Sequence, residues 1–159
     1  MNITLICVGK IKEKFYTDAI NEYSKRLSKY CKLNIIQVND EQTKENISET
    51  QINLIKDKEG ERILNKIPGD SYVITLEIKG NAITSEELSK KIDDICLRGN
   101  SHITFIIGGS LGLSDSVCKR ADYKLSFSKM TFPHQLMRVI LLEQIYRAFR
   151  ISNNEPYHK

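Results

Sequence analysis

Apolar residues along this 159-residue chain fall in two kinds of pattern that take turns. Short, β-branched runs form the first kind: "ITLICVG", "LNIIQV", "YVITLEI", "HITFIIGG" and "YKLSFS". Their length and content predict strands. Between them the apolar positions spread out to every third or fourth residue. In "KEKFYTDAINEYSKRLSKY", Phe15, Ala19, Tyr23, Leu27 and Tyr30 share one helical face. "ETQINLIKDKEGERILNKI", "TSEELSKKIDDICLRG" and "SDSVCKRA" also read as helices. Strands alternating with helices predict an α/β sandwich with a mostly parallel sheet flanked by helices. No repeat, low-complexity tract or linker interrupts the alternation, so residues 1–159 are expected to form one domain.

Punctuation residues sharpen the boundaries. Asn46 or Ser48 can cap the second helix, and Thr84 can cap the third while Glu87 reaches back in a capping box. Gly99 supplies a left-handed stop. Pro68-Gly69-Asp70 and Lys79-Gly80-Asn81 read as turns. Pro133 stands at the start of a last helix, expected from about His134 to Ile151.

That last helix is apolar almost all round: Leu136, Met137, Val139, Ile140, Leu141, Leu142, Ile145, Tyr146, Ala148 and Phe149 exceed a single stripe. Such a helix is buried on more than one side. The expectation is a subunit interface, with Leu142 and Ile145 within it. Its polar exceptions Glu143, Arg147 and Arg150 fall on one face. They are either a solvated ion pair with a neighbour or a functional face leading to the tail "NNEPYHK".

Composition narrows the class. With 40% hydrophobic and 28% charged residues the chain is ordinary for a globular protein. No apolar run approaches the length of a membrane span. The apolar start has no preceding basic residue and no following cleavage site, so it reads as a first strand and points to the cytoplasm. Cys7, Cys31, Cys96 and Cys118 are far apart with no CxxC pair, the pattern of reduced thiols; no metal ligand set is expected. The net charge of +4 is unevenly spread. Residues 10–32 carry seven Lys/Arg against three acids, and 119–159 eight against three, while 40–98 carry nine against thirteen. Brought together, the basic ends would attract a phosphate backbone; apart, they merely solvate helix faces.

Candidate chemistry lies at strand ends, where open α/β sheets bind ligands. "FIIGGSLGLSD" places Gly108, Gly109 and Gly112 after a buried strand. A dinucleotide fold would want GxGxxG with an acid about 20 residues on, and this spacing does not fit. The turn either lets a ligand approach the backbone or is only a turn. "LSFSKMTFPHQ" mixes hydroxyls, a thioether and aromatics. It can wrap an adenine ring, or Met130 and Phe132 can be core and staple residues. Leu76–Glu77 in "ITLEIKG" can close the same pocket.

The segments "VGKIKEKF", "VITLEIKG", "FIIGGSLGL", "LSFSKMTFPHQLMRVILLEQIYRAF" and "EPYHK" together resemble the ribosomal RNA large-subunit methyltransferase H family, a single-domain branch of the SPOUT methyltransferases. The resemblance spans essentially the whole chain. It implies a C-terminal trefoil knot, a homodimer, and S-adenosyl-L-methionine-dependent methylation of N3 of a pseudouridine in 23S rRNA of the assembled ribosome. By motif position it implies cofactor binding by Leu76, Gly108, Phe127, Ser128, Lys129, Met130, Thr131 and Phe132. Under that reading His158 is the candidate general base. Tyr157 would stack on or hydrogen-bond the base, and Arg147, Arg150 and Lys159 would hold phosphates or a developing anion. The competing class is a non-catalytic ribosome- or RNA-binding module, which would keep the basic ends and need no cofactor pocket.

Overall fold

In the first strand, β1 (Asn2–Val8), side chains alternate between two buried layers. Ile3, Leu5 and Cys7 enter one core, and Ile6 and Val8 enter the other. A strand apolar on both faces belongs inside a parallel sheet, with a neighbour on each side. The computed structural model, which describes residues 1–159, places it there. The remaining strands are β2 (Lys32–Val38), β3 (Tyr72–Ala82), β4 (His102–Ile107) and β5 (Tyr123–Ser126). Their order is β2-β1-β4-β3-β5, and all neighbours are parallel.

Helices α1 (Lys14–Leu27), α3 (Ser85–Leu97) and α5 (His134–Ser152) cover one face, with Leu27, Ile92 and Leu142 fully or almost fully buried there. Helices α2 (Glu49–Leu64) and α4 (Asp115–Arg120) cover the other through Ile63 and Val117. The caps form as their side chains dictate. Ser48, not Asn46, caps α2 in a reciprocal box with Gln51, and Thr84 does the same for α3 with Glu87. Asn46 instead adopts a left-handed conformation in the preceding loop. Gly99 ends α3 at φ +92°, and Pro133 is the N-cap residue of α5.

Three expectations are corrected. Lys79-Gly80-Asn81 is not a turn. The strand continues to Ala82 after an irregularity, pairing first Leu76 and then Asn81 with Leu125. Gly80 makes this possible, because a Cβ there would sit 2.8 Å from the carbonyl carbon of Leu125. Asn81 Nδ2 donates to Lys124 O at 3.0 Å, and Ser126 Oγ donates to Ile78 O at 2.9 Å. The end of β3 therefore wraps β5.

The second correction concerns α5. Leu142 and Ile145 are completely buried within their own subunit, beneath α1 and α3 and against the sheet, so they are core residues. The apolar positions that α5 leaves half-exposed are Leu136, Met137, Val139 and Ile140 in its first two turns, and Ile151 in its last. Phe15, expected on the buried face of α1, is 64% exposed. No helix is long and apolar enough to cross a membrane. All four cysteines are free thiols.

Candidate active site

A cleft of about 690 Å³ opens beyond the carboxyl ends of β3, β4 and β5. Leu76, Gly108, Phe127, Ser128, Met130, Thr131 and Phe132 line it, so seven of the eight expected cofactor residues converge from three separated segments. Lys129 is not part of the lining. Glu77, His134 and Met137 join them. Glu77 is held by Thr75 Oγ1, which donates to its carboxylate at 2.7 Å. His134 escaped the sequence reading, although its position just after the proline that closes the 127–132 loop was a usable signal.

The glycine segment forms a tight turn in which Gly112 N donates to Gly109 O at 3.1 Å, with Gly112 at φ +86°. A Cβ on Gly108 would meet Gly112 C and Leu113 Cδ2, each at 3.0 Å. Gly108 thus lets the turn fold back beside the cleft. In the next loop Ser128 Oγ accepts from Met130 N at 2.9 Å, while the backbone N–H groups of Lys129, Thr131 and Phe132 have no protein partner. Met130 is 72% exposed, which removes it from the core. Apolar walls beside free backbone donors suit a flat, hydrogen-bonding ring.

The tail is a second ordered group. Arg147 Nη2 pairs with Glu143 Oε1 at 2.6 Å, and its guanidinium lies 4.7 Å from the Tyr157 ring centroid. Tyr157 OH donates to Glu143 at 3.2 Å, and its ring meets the edge of Tyr146. His158 lies between Arg147 Nη1, 3.2 Å from Nδ1, and Glu86 Oε1, 2.8 Å from Nε2. The Glu143–Arg147 pair is three-quarters or more buried, so it is not the solvated pair of a free helix surface. Burial, and then the Glu143 carboxylate, raise the Tyr157 phenol above its ordinary pKa. Glu86 is pulled down to about 2 by its own backbone N–H at the start of α3, then by His158 and Thr84. Arg150 pairs with Glu155 at 2.8 Å and its guanidinium lies 5.8 Å from the Tyr157 ring centroid, while Lys159 is exposed. No signal in the sequence pointed to Glu86, which lies 72 residues from His158.

The chain does not merge these two groups. Met137 lines the cleft and Arg147 lies ten residues further along α5, about 15 Å up the helix axis. No set of three His, Cys, Asp or Glu side chains is arranged to hold a metal.

Comparison with known proteins identifies the scaffold. Residues 1–158 match the family described as "Predicted SPOUT methyltransferase". A protein of Clostridium botulinum (strain Alaska E43 / Type E3) named ribosomal RNA large subunit methyltransferase H is 68% identical over the full length of both chains. Proteins of the same name from Clostridium acetobutylicum and Clostridioides difficile (strain 630) are 65% and 63% identical, again over both full lengths. A solved structure titled as a probable methylase family protein from Haemophilus influenzae Rd KW20 superposes with a TM-score of 0.52. It covers 99% of this chain and 70% of that one, and at 15% identity it speaks to the fold. A match over residues 1–158, together with relatives 63–68% identical from end to end, shows that the chain belongs to the SPOUT methyltransferase family.

Proposed function

We propose that this single domain, residues 1–159, transfers a methyl group from S-adenosyl-L-methionine to N3 of a pseudouridine in 23S rRNA of the assembled ribosome, as a homodimer in the cytoplasm. The observation that carries the reading is the convergence of residues 76–78, 107–113 and 125–134 on one cleft. Its fit to the cofactor rests on the chemistry of that cleft. Leu76, Phe127 and Phe132 offer apolar walls for an adenine ring, and the unpartnered N–H groups of Thr131 and Phe132 offer donors to its edge. A C-terminal trefoil knot is part of the same proposal.

When bound, the cofactor supplies an already electrophilic methyl group. The task left to the protein is to hold N3 in line with it, and well-oriented groups can contribute about 7–11 kcal/mol of barrier reduction. His158 takes the N3 proton. Tyr157 stacks on or hydrogen-bonds the base, and Arg147 stabilises the negative charge that develops as the proton leaves. Within one chain the cleft and the tail stand apart, so the tail of each protomer serves the cleft of its partner. The half-exposed Leu136, Met137, Val139 and Ile140, with exposed Phe15, supply apolar surface for that contact.

Mass spectrometry of large-subunit rRNA from cells with and without the protein tests the reading, together with methylation, by the purified protein and S-adenosyl-L-methionine, of ribosomes taken from cells that lack the protein. The expected result is one pseudouridine that gains a methyl group only when the protein is present. Identical rRNA masses in both cell lines would exclude the proposed substrate.

A further inference from the structure

We propose that Glu86 is a positioning residue for methyl transfer: its carboxylate fixes His158 as the Nε2–H tautomer, leaving Nδ1 to accept the proton from N3 of the base. The inference rests on the reading above, in which His158 meets the reacting base. Which imidazole nitrogen carries hydrogen is set by the partner of the other. Glu86 is in the first turn of α3, where free N–H groups and the helix dipole favour a carboxylate. That environment keeps it ionised at neutral pH, and an ionised carboxylate only accepts hydrogen bonds. At 2.8 Å from Glu86 Oε1, Nε2 therefore carries the hydrogen. On the other side, Nδ1 lies 3.2 Å from Arg147 Nη1, and a guanidinium only donates. Nδ1 therefore presents its lone pair. The opposite tautomer would set a lone pair against a carboxylate and an N–H against a guanidinium, two repulsions at once.

The rest of the network keeps this arrangement rigid. Arg147 is fixed by Glu143 through Nε at 3.1 Å and Nη2 at 2.6 Å, and Tyr157 OH donates to the same carboxylate. For transfer, the base displaces Nδ1 from Arg147 Nη1 and becomes the acceptor of that donor as its negative charge grows, while Nε and Nη2 stay on Glu143. The N3–H bond then breaks and its proton goes to Nδ1. The electron pair left on N3 forms the bond to the donated methyl carbon, while that carbon's bond to sulfur breaks and sulfur keeps the pair. A carboxylate holding a catalytic imidazole in one tautomer serves serine proteases in the same way.

Nitrogen-15 NMR of the full-length protein, without cofactor or RNA, reads the tautomer directly. The His158 resonances are assigned by comparison with His158→Gln. The expected spectrum shows His158 protonated at Nε2 in the wild type and mixed in Glu86→Ala. Glu86→Ala should lower kcat on ribosomes about 10–100-fold with little change in KM, as loss of an outer hydrogen-bond partner does elsewhere. Glu86→Asp, which restores a carboxylate, should recover part of the loss. Protonation at Nδ1 in the wild-type protein overturns the inference, as does a folded Glu86→Ala with wild-type kcat. His158→Ala separates the two levels. If it is inactive while Glu86→Ala is fully active, only the role of Glu86 falls. If it methylates at full rate, the assignment of His158 falls and that of Glu86 with it.

Discussion

Arg138 Nη2 donates to Gly9 O at 2.8 Å, joining the second turn of α5 to the end of β1 across 129 residues of chain. The same nitrogen donates to Val8 O at 2.9 Å, and the side chain is completely buried. His134, one turn earlier on α5, lines the cleft. This clamp thus sets where the cleft-forming loop meets the sheet. Arg138→Ala should destabilise the fold by about 3–5 kcal/mol, because it opens a cavity and leaves two carbonyls unpaired. Arg138→Met keeps most of the volume and should lose less. Urea unfolding measures both, and the reverse order would mean that relief from a buried charge outweighs packing.

Gly108 tests the cleft. A valine there must push against Gly112 and Leu113, so the turn beside the ligand moves while the two cores stay intact. Calorimetric titration should show S-adenosyl-L-methionine affinity reduced at least about tenfold, or 1.4 kcal/mol. Unchanged affinity in a folded Gly108→Val protein would remove this turn from the site.

The proposed homodimer places its contact on the first two turns of α5, not on the middle of that helix. Leu136→Glu with Ile140→Glu, i and i+4 on one face, should give a folded monomer in analytical ultracentrifugation. Leu142→Glu should instead unfold the chain, since that side chain is completely buried. A double variant that sediments as a dimer at micromolar concentration contradicts the assigned surface.

Deleting Tyr157 to Lys159 should spare dimerisation and cofactor binding yet strongly reduce methylation of ribosomes. For His158→Ala the expected loss is about a hundred- to ten-thousand-fold. The loss should shrink as pH rises, because the substrate then ionises without help. A truncated enzyme working at the wild-type rate would show that the tail does no chemistry.

Burial pushes the Cys7 thiol from its ordinary value of 9.0 up to about 12. Above pH 9 the unfolded chain therefore releases a proton that the native chain retains. Stability should be unaffected by Cys7 below that pH. It should then fall by about 1.4 kcal/mol per pH unit from this group as pH climbs toward 12. Native-state alkylation at pH 8 should modify the half-buried Cys96 and Cys118 before Cys7, and the opposite order contradicts the burial.

Local chemistry was legible in the sequence because it is decided within a few residues. Ser48 and Thr84 cap their helices through partners three positions on. Strand ends could also be read as ligand sites, since the parallel sheet was implied by alternation. The end of β3 was not legible. Lys79-Gly80-Asn81 has turn composition, and only the backbone of β5 pressed against Gly80 explains why it stays extended. Leu142 and Ile145 misled for a related reason. Residues on opposite sides of a helix meet either a partner or two layers of the same subunit, and hydropathy does not distinguish them. Glu86 needed the tail to fold back onto α3 before it had any meaning.

The interior place of β1, between β2 and β4, has a kinetic consequence. This strand is made first, yet one of its neighbours is β4, about a hundred residues later, and the face it shares with that neighbour is closed by α5 at the far end of the chain. Early contacts can therefore form only half of the sheet, and loop closure over such separations slows folding. Until α5 docks, "LMRVILLEQIYRAF" remains exposed as a sticky segment. A chain stalled before that step carries its cleft segments but neither the helix that anchors them nor a closed core. The cleft thus takes its final shape only when α5 docks and Arg138 closes onto Gly9.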